Sequence, residues 1–300
     1  MKHSQRNKKP IFIFSIILGI LIIALSIFFI TNNKTSDKEP EVTSNSNVEE
    51  NDIPKESETT PKVENRFEGL PLTSEDIGIP VLYYHSVLPD SEVKQKNEVT
   101  ISPEKLKEEL QLVKSLGYTT LTMSEVNDYI LNNKEIPQKS ILITFDDGYT
   151  DNYAHAFPIL KELNMKATVF VISSGIDSGY YMSTAQLKEM SDYGIDIESH
   201  TVNHVHLNTL TYEQQLKELK DSKAKIESVT NKPVLSIAYP FGDFNENSKK
   251  ASIDAGYSLA FTTNLGLANK TDNRVALDRI YVNSEYSLDT FKSRLINTKK

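Results

Sequence analysis

From Pro80 onward the chain alternates short apolar runs with stretches in which apolar residues recur every three or four positions. The first run, "VLYYH", reads as a strand. In the following "SPEKLKEELQLVKSLGY", Leu106, Leu110, Val113 and Leu116 fall on one helical face. Ser102 as N-cap, Pro103 at the first helical position and Gly117 at the end bound that helix. The alternation continues with strand "SILITF", helix "NYAHAFPILKELN", strand "KATVFVI", helix "TAQLKEMSDYG" and strand "IDIES". A long helix from Thr211 to about Val229, strand "VLSIAYP", helix "NENSKKASIDAGY" and strand "SLAFTT" come next. "RIYV" and a helix around Leu288 to Ile296 close the chain. Repeated βα units over about 230 residues predict an α/β domain with a parallel sheet covered by helices. That extent suits a sheet closed into a (β/α) barrel, with active residues at the C-terminal strand ends; an open doubly wound sheet fits the same alternation.

The hydropathy pattern changes before Pro80. Residues 1–10 carry Lys2, Arg6, Lys8 and Lys9 and no acid, and Ile11 to Ile30 contains no charge. Twenty helical residues span about 30 Å, one hydrocarbon core. Basic residues before the span and acidic ones after it predict a cytoplasmic tail at 1–10, an uncleaved transmembrane anchor at 11–30 and an extracellular remainder. A cleaved signal peptide is the alternative, but "SIFFITNNKTS" offers no clear small-residue cleavage site. Residues 31–69, rich in Asn, Ser, Thr, Glu and Pro, have too few large apolar groups to offset ordering entropy. They read as a flexible, disordered stalk, with the folded domain at 70–300.

Composition narrows the chemistry. The net charge of −8 argues against nucleic acid as a partner. No cysteine is present, so a metal would have to use imidazole and carboxylate. No GxGxxG or GxxxxGK[ST] follows a strand, so a nucleotide site has no support.

The strand ends supply candidates. Asp146 and Asp147 follow "ILITF", "SHTVNH" follows "IDIES" with His200 and His204 four apart, "YPFG" follows "VLSIA", and His85 follows "VLYY". In a parallel sheet these distant positions share one end. Asp-Asp-Gly alone is ordinary turn chemistry, and two loop histidines alone are ordinary solvated groups. Two imidazoles with one carboxylate, however, make the three-ligand set of a catalytic divalent ion with an open position. Adjacent residues of an extended chain point oppositely, so one aspartate can hold the ion while the other acts as a base.

"TFDDGY", "HTVNH" and "YPFG", in that order, resemble the NodB-homology polysaccharide deacetylases (carbohydrate esterase family 4), over roughly Ile79 to the C-terminus. The resemblance implies a distorted (β/α) barrel and metal-dependent removal of N-acetyl groups from amino sugars of a surface or wall glycan, such as poly-N-acetylglucosamine or peptidoglycan. It implies Asp147, His200 and His204 as metal ligands, Asp146 as general base and the Phe241 backbone N–H as an oxyanion donor. Zn²⁺ is the first expectation, with Co²⁺ and Ni²⁺ suiting similar ligands. Two departures stand out: the family's arginine before the third motif, which orients the base, is Ala238 here, and no histidine follows His206 to serve as acid. "YYHSV" resembles the poly-N-acetylglucosamine branch, which points to His85 as the acid. Arg279 in "LDRIYV", with Asp278 nearby, is the candidate for the missing arginine.

Tyr83, Tyr84, Tyr149 and Tyr239 are candidates for stacking on sugar faces, with barrel packing the alternative and the favoured one for Tyr83. His155 and His206 read as packed or solvated. A glycoside hydrolase would place its two carboxylates on different strands, about 5 to 10 Å apart. A non-catalytic glycan-binding module would need no base, acid and ligands together. For the anchor, external protease on intact cells should reach the domain at 70–300 while the protein stays with the membrane. Recovery mainly as a soluble form starting just after residue 30 would show a cleaved leader instead.

Overall fold

The structure, a computed structural model, describes residues 66–299. The tail at 1–10, the anchor at 11–30 and the stalk up to residue 65 lie outside the described residues. Among the described residues no helix is long and apolar enough to cross a membrane.

The described strands are β1 (Leu72–Thr73), β2 (Val81–Tyr84), β3 (Ser86–Val87), β4 (Thr100–Ile101), β5 (Thr119–Thr120), β6 (Ile136–Pro137), β7 (Ser140–Phe145), β8 (Thr168–Val171), β9 (Asp196–Ser199), β10 (Ser236–Ala238), β11 (Leu259–Leu265) and β12 (Leu277–Tyr281). Seven of them form a closed parallel ring in the order β2, β7, β8, β9, β10, β11, β12 and back to β2. The barrel expectation holds over the open sheet. The ring is short of eight strands. One edge of β7 is shared, with β5 pairing at Ser140 and Ile141 and β8 at Thr144 and Phe145.

Period-two alternation fills this ring. Val81, Leu142, Phe170, Ala238, Phe261 and Leu277 belong to one buried cluster. Their strand neighbours Leu82, Ile143, Val169, Ile237 and Ala260 belong to another, which also contains Leu106, Leu110, Leu187, Leu219 and Ile226 from the helices. The strand residues of the first cluster fill the barrel interior and the second cluster the layer between sheet and helices, as expected for strands buried on both faces. Two residues further along β2, β7 and β12 the inner positions turn polar: Tyr83 then His85, Thr144 then Asp146, and Arg279. The apolar plug therefore ends where the candidate chemistry begins.

The helices Pro103–Ser115, Thr184–Tyr193, Tyr212–Thr230, Glu246–Asp254 and Leu288–Asn297 match the predicted ones. One helix, Met123–Asn132, was not expected. Its signal is a capping box: Glu125 N–H donates to Thr122 Oγ1 and Thr122 N–H donates to Glu125 Oε2 at 2.7 Å. "NYAHAFPILKELN" is not one regular helix. It begins as a π-turn, Asn152–Ala156, before the α-helix Phe157–Leu163. Pro158 has no N–H to donate to Ala154, so the regular ladder cannot run through this point.

Gly148 joins β7 to the rest of the site. Its φ is +78°, and a Cβ there would lie 2.7 Å from Val171 Cγ1 on β8. Gly148→Ala should cost about 1–3 kcal/mol, from backbone strain and the clash together. Urea unfolding at neutral pH measures it; an unchanged midpoint would show that the turn relaxes freely.

Candidate active site

The barrel's hydrogen-bond ladder continues into the site residues. Asp146 N–H donates to Tyr84 O at 2.9 Å, His200 N–H to Val171 O at 2.9 Å and Tyr239 N–H to Phe261 O at 3.0 Å. Each candidate thus starts from a strand end whose position the ring sets.

Asp147, His200 and His204 come together. His200 Nε2 lies 3.5 Å and His204 Nε2 3.3 Å from Asp147 Oδ1, and the three ligand atoms lie within 4.8 Å of one another. His200 Nδ1 is 2.7 Å from the Ala238 carbonyl. A carbonyl only accepts, so Nδ1 carries the proton and a neutral ring turns the Nε2 lone pair toward Asp147. Asp147 Oδ1 is buried and receives no hydrogen bond. Burial, then the neighbouring His200, lowers the His204 pKa to about 4, so this imidazole is neutral at pH 7. Lone pairs facing one another at this distance repel unless a cation lies between them. Ligands at about 2.0–2.1 Å around a tetrahedral ion would be roughly 3.3 Å apart, which the two separations from Asp147 match, so the residue types and these distances suit Zn²⁺ or a similar ion.

The "HxxxH" spacing works through a loop rather than a helical turn. Thr201 and His204 both have positive φ, 68° and 52°, as do Asp147 at 72° and Phe241 at 60°. Of the other non-glycine examples, Asn133, Asn164 and Asn231 cap helices and Asp177 lies in a turn. Strain is thus concentrated at the site. At Asp147 it has a use, because a regular strand would point Asp147 away from Asp146. Thr201 Oγ1 accepts from His204 N–H at 3.0 Å, and Glu218 accepts from Val202 and Asn203 N–H at 3.1 and 3.0 Å. Glu218, in mid-helix, carried no sequence signal for this bracing.

Asp146 has a separate partner. Arg279 donates from Nη1 to Oδ1 and from Nη2 to Oδ2, both at 2.8 Å. Arg279 is fully buried; it also donates to Thr262 O, and its guanidinium lies 4.2 Å over the Tyr83 ring. Burial pushes the Asp146 carboxyl up, but Arg279 and then His200 outweigh it and bring the pKa to about 2. The position before the third motif, Ala238, contributes its carbonyl to His200 instead. Asp278 contacts Thr262.

His85 is partly buried with its Nδ1 buried and unpartnered, and it faces Asp146, Asp147 and His200 electrostatically. Burial lowers its pKa. Its carbonyl accepts from Asn152 Nδ2 at 2.8 Å, and Asp151 accepts from Val87 N–H and the Ser86 hydroxyl. Asp151 and Asn152 were missed, although they lie two and three residues past the aspartate motif. Phe241 is 53% exposed, stacks on His206 at 4.0 Å and meets the His204 ring edge-on. His206 in turn pairs with Asp243 at 2.6 Å. Tyr239 points into the core, its hydroxyl bonded to Val275 O and Ser252, so its side chain offers no face to a sugar. Tyr84, bonded to buried Glu109, is a packing residue as well.

The sequence profile of the family described as "Polysaccharide deacetylase" matches residues 133–260. YxkH of Bacillus subtilis (strain 168), named as a polysaccharide deacetylase, is 36% identical over 227 residues, 76% of this chain and 79% of that one. A poly-β-1,6-N-acetyl-D-glucosamine N-deacetylase of Staphylococcus epidermidis is 28% identical over 206 residues, 64% of this chain and 71% of that one. Among solved structures, the Streptococcus pyogenes deacetylase PplD in complex with acetate aligns with a TM-score of 0.69 at 32% identity, covering 74% of this chain and 99% of that one.

The Asp146–Arg279 pair carries a stability prediction. The folded pKa lies below the ordinary 3.8, so its contribution is present above that value and lost as pH falls toward about 2. Arg279→Met leaves a buried charge without its partner and should cost about 3–5 kcal/mol at pH 7. Adding Asp146→Asn should recover part of this. Urea unfolding of the single and double variants decides; equal stability of Arg279→Met and the parent would show that the pair is dispensable.

Proposed function

This chain belongs to the polysaccharide deacetylase family and is a polysaccharide N-deacetylase; from that premise we propose a divalent-ion-dependent hydrolysis of N-acetyl groups on a surface or wall glycan. Asp147, His200 and His204 would hold the ion, with Zn²⁺ the best fit to two imidazoles and a carboxylate. The ion, when bound, supplies Lewis acidity for the acetamide carbonyl and acidifies the attacking water.

Asp146 accepts the proton of the attacking water. Arg279 keeps that carboxylate ionised and fixes both oxygens, the job left open at Ala238. The Phe241 N–H, presented by the strained "YPFG" turn, donates to the oxygen that gains charge in the tetrahedral state. His85 delivers a proton to the departing amine; burial makes its imidazolium a stronger acid and narrows the pH range in which it carries that proton. The observation that carries this reading is the split between the two aspartates: Asp147 with two imidazoles, Asp146 with a guanidinium. A glycoside hydrolase needs one carboxylic acid with a raised pKa to protonate the leaving group. Asp146 is shifted the other way.

Poly-N-acetylglucosamine and peptidoglycan are the proposed substrates, the former supported by the staphylococcal relative's name. A membrane anchor at residues 11–30 would hold the domain outside the cell, facing such polymers. Acetate release on a panel of defined N-acetylated glycans tests substrate and reaction together.

Chelation should abolish acetate release, and His200→Ala or His204→Ala should lose the ion by metal analysis. Asp146→Asn and His85→Ala should keep the ion yet lose about 10²- to 10⁴-fold in turnover. The alkaline limb of the pH–rate profile should lie below that of a free imidazole, because burial disfavours the charged form of His85, and should vanish or move in His85→Ala. An unchanged profile with near-parent turnover would make His85 structural.

A further inference from the structure

Beside the Asp147 cluster stands an aromatic corner that the proposed reaction does not use. Tyr149 and Tyr181 are stacked, with ring centroids 5.5 Å apart and planes at 16°. Tyr180 stands across both, 5.2 Å from Tyr149 at 67° and 5.1 Å from Tyr181 at 83°. It is 68% exposed. Tyr149 lies close to the ion-binding carboxylate: burial first, then Asp147, raises its phenol pKa.

The corner is built rather than loose. Thr150 N–H donates to Tyr180 O at 3.1 Å, and Met182 N–H donates to Gly148 O at 3.0 Å, so this segment pairs directly with the turn carrying Asp147. The Tyr181 ring packs on Gly175, where a Cβ would come within 2.5 Å of it. Asp177 accepts from Thr184 N–H and Oγ1 at 2.7 and 2.8 Å, tying the segment to the helix Thr184–Tyr193. A fixed, exposed aromatic face loses little conformational entropy on binding and suits the apolar C–H face of a pyranose ring.

We propose that Tyr180, supported by Tyr149 and Tyr181, is a subsite that stacks an N-acetylhexosamine unit adjoining the one deacetylated, so that the enzyme prefers interior units of a polymer. The proposal rests on the deacetylase reading, and it identifies the substrate as a chain that extends past the reacting sugar on the Asp147 side. Asp147 and the corner belong to one hydrogen-bonded segment, so stacking also aligns the neighbouring unit with the reacting acetamide.

The test uses N-acetylglucosamine di- and pentasaccharides with Tyr180→Ala and Tyr180→Trp. Binding is measured calorimetrically on chelated protein and acetate release on ion-loaded protein. The parent should bind the pentamer more tightly than the dimer. Tyr180→Ala should weaken pentamer binding and raise its KM by about 3- to 10-fold, as expected for one aromatic contact, with a smaller effect on the dimer. Tyr180→Trp should retain the preference. Equal losses on both lengths, no loss on either, or a Trp variant as impaired as the Ala variant overturns the subsite. Length-dependent binding through Tyr180 without acetate release from either sugar would leave the subsite standing and overturn the deacetylase reading instead.

Discussion

A carboxylate inside a barrel must be neutralised, and the pairing of Asp146 with Arg279 is the constraint around which this structure is arranged. Desolvation alone would drive Asp146 toward its neutral form. Two parallel hydrogen bonds from a guanidinium, in a site walled by Tyr83 and Phe170, reverse that. The arginine must therefore stand at an inner position of its own strand, two residues beyond Leu277, which belongs to the apolar plug. Period-two alternation supplies this position, and the ring closure between β12 and β2 brings it beside β7. Fold and charge balance depend on each other here.

With Asp146 committed to Arg279, Asp147 is left for the imidazoles. This division requires a backbone departure, since neighbouring strand residues face opposite ways. The positive φ of Asp147 provides it, and the same conformation at Thr201, His204 and Phe241 turns the other loops inward. Such residues are costly, on the order of 1–3 kcal/mol each. Hydrogen bonds accepted by Thr201 Oγ1, Glu218 and the Ala238 carbonyl hold the strained loops in place. The His206–Asp243 pair steadies the exposed Phe241 ring from the outer side.

The mouth of the barrel is thus polar and strained while the floor is apolar and regular. Tyr83 marks the boundary, packed between Arg279, His85 and Tyr281. The Tyr149–Tyr180–Tyr181 corner extends the mouth outward on the Asp147 side, where a polymer can be gripped without disturbing the charges below.

The parallel α/β alternation, most helix limits and the candidates Asp146, Asp147, His200, His204 and His85 were legible in the chain, because apolar periodicity and strand-end motifs are local signals. The helix Met123–Asn132 was not read from the chain, although its capping box, Thr122 with Glu125, is a local signal. The break at Pro158 was also written locally. Other features were decided only by tertiary structure. Arg279 was named from the chain for the missing arginine, but the contact itself, across 133 positions to Asp146, is made by ring closure. Tyr239 looked available to a sugar, yet its strand position turns it into the core. Glu218, Asn152 and Tyr180 acquire their roles from loops that meet in space, and no periodicity encodes such a meeting. Sequence determined which residues could carry charge, ligate or stack; closure of the barrel decided which of them face one another, because distance between side chains is set by strand pairing and not by spacing along the chain.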